Sequence, residues 1–167
     1  MHTLEHFYKD AEELISVFDA FVEQSNVKDM ALPDHICFKC GDTETFENIR
    51  SLLEKDAAFL HQANISGRRI AMVKLTKPFV TSLGEITVLE LSDQKQNNSQ
   101  TTTFDHIEIY PKDISFDVLV KKIEASGAPL RKVERPHHTT YDIQIGDTYN
   151  VKLTEEPIFE KIKRDEM

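Results

Sequence analysis

What this chain has little of narrows its class before any motif is read. It carries only two cysteines, Cys37 and Cys40, in 167 residues. That is too few for a disulfide framework, so a reducing, cytoplasmic setting is expected. Basic residues are in deficit, with 20 Lys and Arg against 29 Asp and Glu and a formal charge of −9. Nucleic-acid binders show a basic stripe or patch, whereas the basic cluster here is the short KIKR at Lys161–Arg164. Nucleic acid and anionic membrane surfaces are therefore discounted as partners. No apolar run approaches the ~18 residues of a membrane span, and the acidic, amphipathic start MHTLEHFYKDAEEL is no signal peptide. The chain also lacks a G-x-S-x-G elbow, a P-loop and an H-E-x-x-H pair.

What is present suits a globular protein: 40% hydrophobic and 29% charged residues, at a length that can bury a sizeable core. Two stretches echo each other, DHICFKC at Asp34–Cys40 and DHIEIYP at Asp105–Pro111. Successive side chains of a β-strand point to opposite faces. The first copy then sends His35, Cys37 and Lys39 one way and Ile36, Phe38 and Cys40 the other. The second sends His106, Glu108 and Tyr110 one way and Ile107 and Ile109 the other. An amphipathic strand explains the alternation, but the recurring triplet points to a duplicated unit.

The order of elements repeats as well. Thr3–Gln24 has its apolar residues at helical spacing. After the strand Asp34–Cys40, Asp42 caps a helix expected from Thr43 to Phe59, with Phe46, Ile49, Leu52 and Leu53 as its buried stripe. Leu60–Ile65 and Arg68–Leu75 read as a hairpin about Ser66-Gly67, Pro78 marks an edge or loop, and Glu85–Leu91 is a further strand. Ser92–Thr103 has no apolar residue and reads as a flexible linker. Then come a strand at Phe104–Tyr110, a helix capped by Ser115 and closed by Gly127, a short extended Pro129–Glu134, a hairpin of Thr140–Ile145 and Tyr149–Leu153 about Gly146-Asp147, and a last helix. The expected organisation is a single α+β domain: residues 1–31 a helix and connection, 32–91 a βαβββ module, 92–103 the linker, 104–154 a second βαβββ module, and 155–167 a C-terminal helix.

This doubled unit, with a histidine on each first strand, resembles the vicinal oxygen chelate superfamily, which includes glyoxalase I and extradiol dioxygenases. The likeness is carried by PDHICFKC (Pro33–Cys40), ISGRRIAMVKL (Ile65–Leu75), ITVLEL (Ile86–Leu91) and FDHIEIYP (Phe104–Pro111), and more weakly by DTYNVKL (Asp147–Leu153). Within that superfamily the chain looks most like the bacterial YecM-like proteins. The resemblance implies an open barrel whose metal ligands lie on the first and last strands of each module and point into a shared cup. Carried over by position, those ligands are His35, Glu90 and His106. The last strand of the second module departs from the pattern, because Lys152 stands where a second carboxylate is expected.

Two imidazoles and a carboxylate with an open position suit Fe(II), Zn, Ni or Mn, and Lewis-acid chemistry on a small substrate with vicinal oxygens. An ammonium offers a metal no lone pair. Lys152 is therefore assigned to an anionic substrate group, with Arg68 as a further anion contact if it shares the inward face with Met72 and Lys74. Glu108 and Tyr110 are the candidates to move a proton. Glu108 is also the candidate to orient His106, since Asp34 and Asp105 are expected to face away. The alternative is a metal-free small-molecule-binding protein in which Lys152 replaces the fourth ligand. The C-x-x-C of Cys37 and Cys40 is read as two small strand residues, with a redox pair or half a zinc site as the other readings. Arg69, His137 and His138 are read as surface residues. Oligomeric state is left open, because both modules needed for the cup are in one chain.

Overall fold

The computed structural model describes residues 3–65, 67–136 and 138–166. The turn residue Ser66 and the expected surface residue His137 lie outside them. The elements run α1 (Leu4–Asp10), α2 (Glu12–Ser25), β1 (Ala31–Lys39), α3 (Thr43–Glu54), β2 (Ala57–Ile65), β3 (Arg68–Thr81), β4 (Gly84–Ser92), β5 (Thr103–Pro111), α4 (Phe116–Ala125), β6 (Leu130–Glu134), β7 (Thr139–Ile145), β8 (Tyr149–Leu153) and α5 (Ile158–Glu166). The strands form one eight-stranded sheet ordered β2-β3-β4-β1-β5-β8-β7-β6. Each half is therefore a βαβββ module. The first and last strands of a module pair in parallel, β1 with β4 and β5 with β8. The modules join where β1 and β5 pair antiparallel. The sheet stays open, with β2 and β6 at its edges.

Alternation along the central strands produces two unlike faces. Ile36 and Phe38 of β1, Ile107 and Ile109 of β5, and Val151 and Leu153 of β8 join the core with Leu14 and Phe18 of α2, Phe46 and Ile49 of α3, and Leu119 and Ile123 of α4. The Phe7 side chain of α1 meets the Phe38 and Phe104 rings at centroid distances of 5.3 and 5.1 Å, within the range of favourable aromatic pairs. The opposite face of the sheet carries the histidines.

Several boundaries differ from those expected. The first helix is divided at Ala11 into α1 and α2. The Asp42-capped α3 ends at Glu54, and Ala57–Phe59 enter β2 instead, where they pair with Val73–Leu75 of β3. Ladder hydrogen bonds to a neighbouring strand decide such a segment over its own helical spacing. β3 runs on past Pro78, which falls inside the irregular stretch between Lys74 and Phe79 where the ladder to β4 is interrupted, so no pairing N–H is needed from it. The polar 92–103 connection is fastened in place. Gln100 is buried and donates through Nε2 to the carbonyls of Cys40 (3.1 Å) and Asp93 (2.7 Å), and Gln94 Nε2 bonds the carbonyls of Gly41 and Gln100, each at 2.8 Å. Its amides replace the apolar contacts that the segment lacks. Arg69, expected in solvent, ion-pairs with Glu47 and Asp93 and stacks over Phe46.

Candidate metal centre

β1, β4 and β5 lie side by side, so His35, Glu90 and His106 meet on the face away from the helices. Their ligand atoms all fall within 4.8 Å of one another. Both histidines are buried, and their ring centroids are 6.0 Å apart. Glu90 and His106 line a cavity of about 350 Å³ together with residues of both modules, whereas His35 is fully buried and is not among the lining residues.

The carboxylates that hold the rings are not the one expected. His35 Nδ1 is 2.7 Å from Asp34 Oδ2, and His106 Nδ1 is 2.7 Å from Asp105 Oδ2. Regular alternation would turn each aspartate away from its neighbour. The β1–β5 ladder breaks register between Pro33 and His35, and again where Cys37 and Phe38 face His106 and Phe104. Asp34 and Asp105 are thus the unpaired residues of two irregularities related by the module repeat, and bulges of this kind re-aim side chains. A carboxylate on Nδ1 keeps the hydrogen there and leaves Nε2 as the donor to a metal. Asp34 Oδ2 also accepts from the backbone N–H of Ile158 (2.9 Å), which ties the start of α5 to the same ring.

His35 Nε2 is buried and makes no hydrogen bond. It lies 3.1 Å from Glu90 Oε2 and 3.4 Å from Glu108 Oε2, close ionic contacts not aligned for hydrogen bonding. Burial by itself lowers the pKa of His35, but Glu108, Asp34 and Glu90 outweigh it and raise the value to about 10. Burial raises Glu90 in turn, yet His35, His106 and Lys152 hold it well below the usual carboxylate range. An unbonded buried ring nitrogen facing carboxylates is a fitting place for a cation, and a proton competes for it.

Glu108 does not orient His106. Its Oε1 is 2.9 Å from Nζ of Lys161, a buried lysine of α5. Against the pull of burial, His35 and Lys161 keep the Glu108 pKa lowered. Lys152 and Arg68 both line the cavity, as do Ile70 and Met72, so β3 points these alternate residues inward. Lys74 does not share the cavity and donates to Thr87 Oγ1 (2.8 Å). Tyr110 is not among the lining residues. It lies two positions beyond Glu108, about 6.6 Å along the strand, and its pKa is raised by burial and by Asp34.

Several lining residues were not anticipated as site residues, among them His61 of β2, His138, Arg135 and Lys161. His138, expected at the surface, is half-buried in the cavity wall, with its pKa lowered by burial, Lys161 and Arg135. Arg135 also lines the cavity and donates to Thr140 Oγ1 at 2.5 Å. Lys161 arrives on a helix outside both modules, and only its place in the amphipathic pattern of the C-terminal segment hinted at burial. Cys37 faces the site, with Sγ 3.6 Å from Glu90 Oε1, while Cys40 joins the opposite core. Both are free and buried. The two thiols therefore make no redox pair, because Cys37 faces Glu90 while Cys40, just past the end of β1, faces the core.

Paired βαβββ modules, joined at their first strands around a cup of histidines and carboxylates, are the vicinal oxygen chelate fold, and the chain has that fold. More narrowly, it belongs to the YecM family, whose profile (YecM protein) matches residues 2–152. No curated protein matches it. Among solved structures it is similar to "Structural Genomics, Protein EC4020", at 19% identity and TM-score 0.79, over 97% of this chain and 92% of that one. It is also similar to hypothetical protein BH1468 from Bacillus halodurans C-125, at 13% identity and TM-score 0.51, over 75% and 94% of the two chains. At these identities the likeness speaks for the fold alone. No helix among the described residues is long and apolar enough to cross a membrane.

Proposed function

We propose that the protein is a metal-dependent enzyme of the vicinal oxygen chelate type, acting on a small, anionic molecule with neighbouring oxygens. The observation that carries this reading is the buried, unbonded Nε2 of His35, with Glu90 beside it and His106 across from it. His35, Glu90 and His106 would hold the cation, and Asp34 and Asp105 fix the tautomer of the two rings. A divalent ion there, whether Fe, Zn, Ni or Mn, supplies Lewis-acid polarisation of a substrate oxygen.

The chain's own groups account for the rest. Among the described residues, neither Lys152 nor Arg68 ion-pairs with a carboxylate, and Nε of Arg68 is buried without a hydrogen bond. Together with Arg135 they offer the substrate an anion subsite in the cavity wall. Glu108, His138 and His61 are the groups in the cavity, outside the metal ligands, that can accept a proton. Two reduced, buried thiols fit a reducing compartment.

Elemental analysis of the purified protein, before and after removal of metal and refilling, tests the reading. Close to one metal per chain is expected, lost in His35→Ala/His106→Ala. An unchanged metal content in that variant would refute it. Lys152 favours the second reading, a metal-free binding protein. It would be supported by a melting temperature and ligand binding indifferent to chelators, and a chelator-induced fall in melting temperature would count against it.

A further inference from the structure

The second module's last strand brings Lys152 to the cup where the fold pattern calls for a carboxylate. The neighbouring strand has the reverse arrangement. Glu108 of β5 is the register partner of Lys152 on β8, and its carboxylate points at the same His35 nitrogen that Glu90 approaches. We infer that Glu108 is the fourth protein ligand of the metal, with the carboxylate moved one strand inward and Lys161 gripping its outer oxygen. This rests on the metal-dependent reading above.

Two observations support it. Two ligands each about 2.0–2.2 Å from one tetrahedral ion are about 3.3 Å apart, and His35 Nε2 is flanked by two carboxylates at close to that spacing, 3.1 Å from Glu90 Oε2 and 3.4 Å from Glu108 Oε2. Glu108 groups within 4.8 Å with His35 and Asp34, and Glu90 and His106 group with His35, so binding draws the two groups together about the shared His35. The two oxygens of Glu108 are divided in their contacts, with Oε1 bonded to Lys161 and Oε2 turned to His35. A ligating carboxylate is commonly held by such an outer hydrogen bond. Charge is compatible with the assignment. Glu90 and Glu108 bring two negative charges to a dication, and the buried Lys161 keeps its bond to the outer oxygen of Glu108. Lys152, Arg68 and Arg135 then remain for the substrate's anionic group, and His138 and His61 remain as proton acceptors.

Co(II) titration of metal-stripped protein, followed by its visible absorption, tests the assignment with wild type, E90Q, E108Q, K161M and E108Q/K161M. The wild type is expected to bind one Co(II). E108Q should bind it at least about tenfold more weakly, the lower limit seen for groups outside the first coordination sphere, and with a changed visible band, as E90Q should. K161M should keep the wild-type band. The double variant removes both partners of a buried ion pair, so no buried charge is stranded. It should reproduce the loss seen in E108Q, and it decides the matter if E108Q fails to fold. Unchanged affinity in E108Q or the double variant would overturn the assignment, and so would weakened binding with an unchanged band. In both cases E90Q still losing affinity leaves the three-ligand site standing. A wild type that takes up no Co(II) overturns both.

Discussion

Asp34→Asn and Asp105→Asn should weaken metal binding without touching a proposed ligand, and by unequal amounts. Each aspartate accepts a short bond from the Nδ1 of the histidine that follows it. A bond to a charged acceptor is roughly twice as strong as a neutral one. The asparagine amide can also turn its NH2 toward Nδ1, which would move the ring hydrogen to Nε2 and block that atom as a donor to metal. Loss of such outer partners costs about 10–100-fold in metal affinity, or about 1.4–2.7 kcal/mol. The larger loss is expected at Asp34. Its Oδ2 also accepts from Ile158 N–H, so the change loosens the first turn of α5 and with it Lys161, the partner of Glu108. Asp105 has a Lys39 ion pair instead, at 3.2 Å and partly exposed, which is worth little. Competition titrations with Zn(II) and a chromophoric chelator at neutral pH measure both affinities. Wild-type affinity in both variants would refute the role given to the two bulged aspartates, and a larger loss in Asp105→Asn would refute the role given to α5.

Other consequences are open to direct measurement. Gln100→Ala should destabilise the protein by about 1–3 kcal/mol, because it strands the buried carbonyls of Cys40 and Asp93 that Gln100 now satisfies; urea unfolding reads this, and a negligible change would mean the 92–103 connection contributes nothing. Cys40 has its thiol pushed up to about 12 by burial, Asp93 and Asp42, and Cys37 is raised well above its ordinary value by burial, Glu90 and Asp105. Both should therefore resist thiol reagents in the native protein and react on unfolding, and fast native labelling would contradict their burial. Against the effect of burial, His106 and Lys39 hold the Asp105 pKa at about 2, below its ordinary 3.8. A depressed folded value stabilises the protein above pH 3.8, and that contribution is lost as pH falls toward 2. In metal-free protein, Asp105→Asn should flatten the acid limb of the stability curve, and an identical acid limb would show that Asp105 is not the group responsible.

Local sequence was enough for the repeat, the two-faced strands and the histidine pair. Strand alternation is a property of the backbone, so Ile36, Phe38, Ile107 and Ile109 had to share the face opposite His35 and His106. The gathering of His35, Glu90 and His106 was expected only from the family resemblance, which puts β4 beside β1 and β1 beside β5 and singles out Glu90 on β4. The extent of α3 was not legible in this way, because Ala57–Phe59 fit helical spacing until β3 offers them a ladder.

Only the tertiary structure decided what surrounds the histidines. A single-residue break in register, set by how β1 and β5 lie against each other, turns Asp34 and Asp105 toward the rings that alternation would have them avoid. Lys161 comes from a helix beyond both modules, and Arg135 and His138 lie at the approach to β7. No local spacing ties them to a cup built mainly by β1, β3, β4 and β5. Charges far apart in the chain become partners only when packing excludes the water between them. Glu108 meets Lys161 and His35 in this way, and that contact is what holds its carboxylate beside the His35 ring.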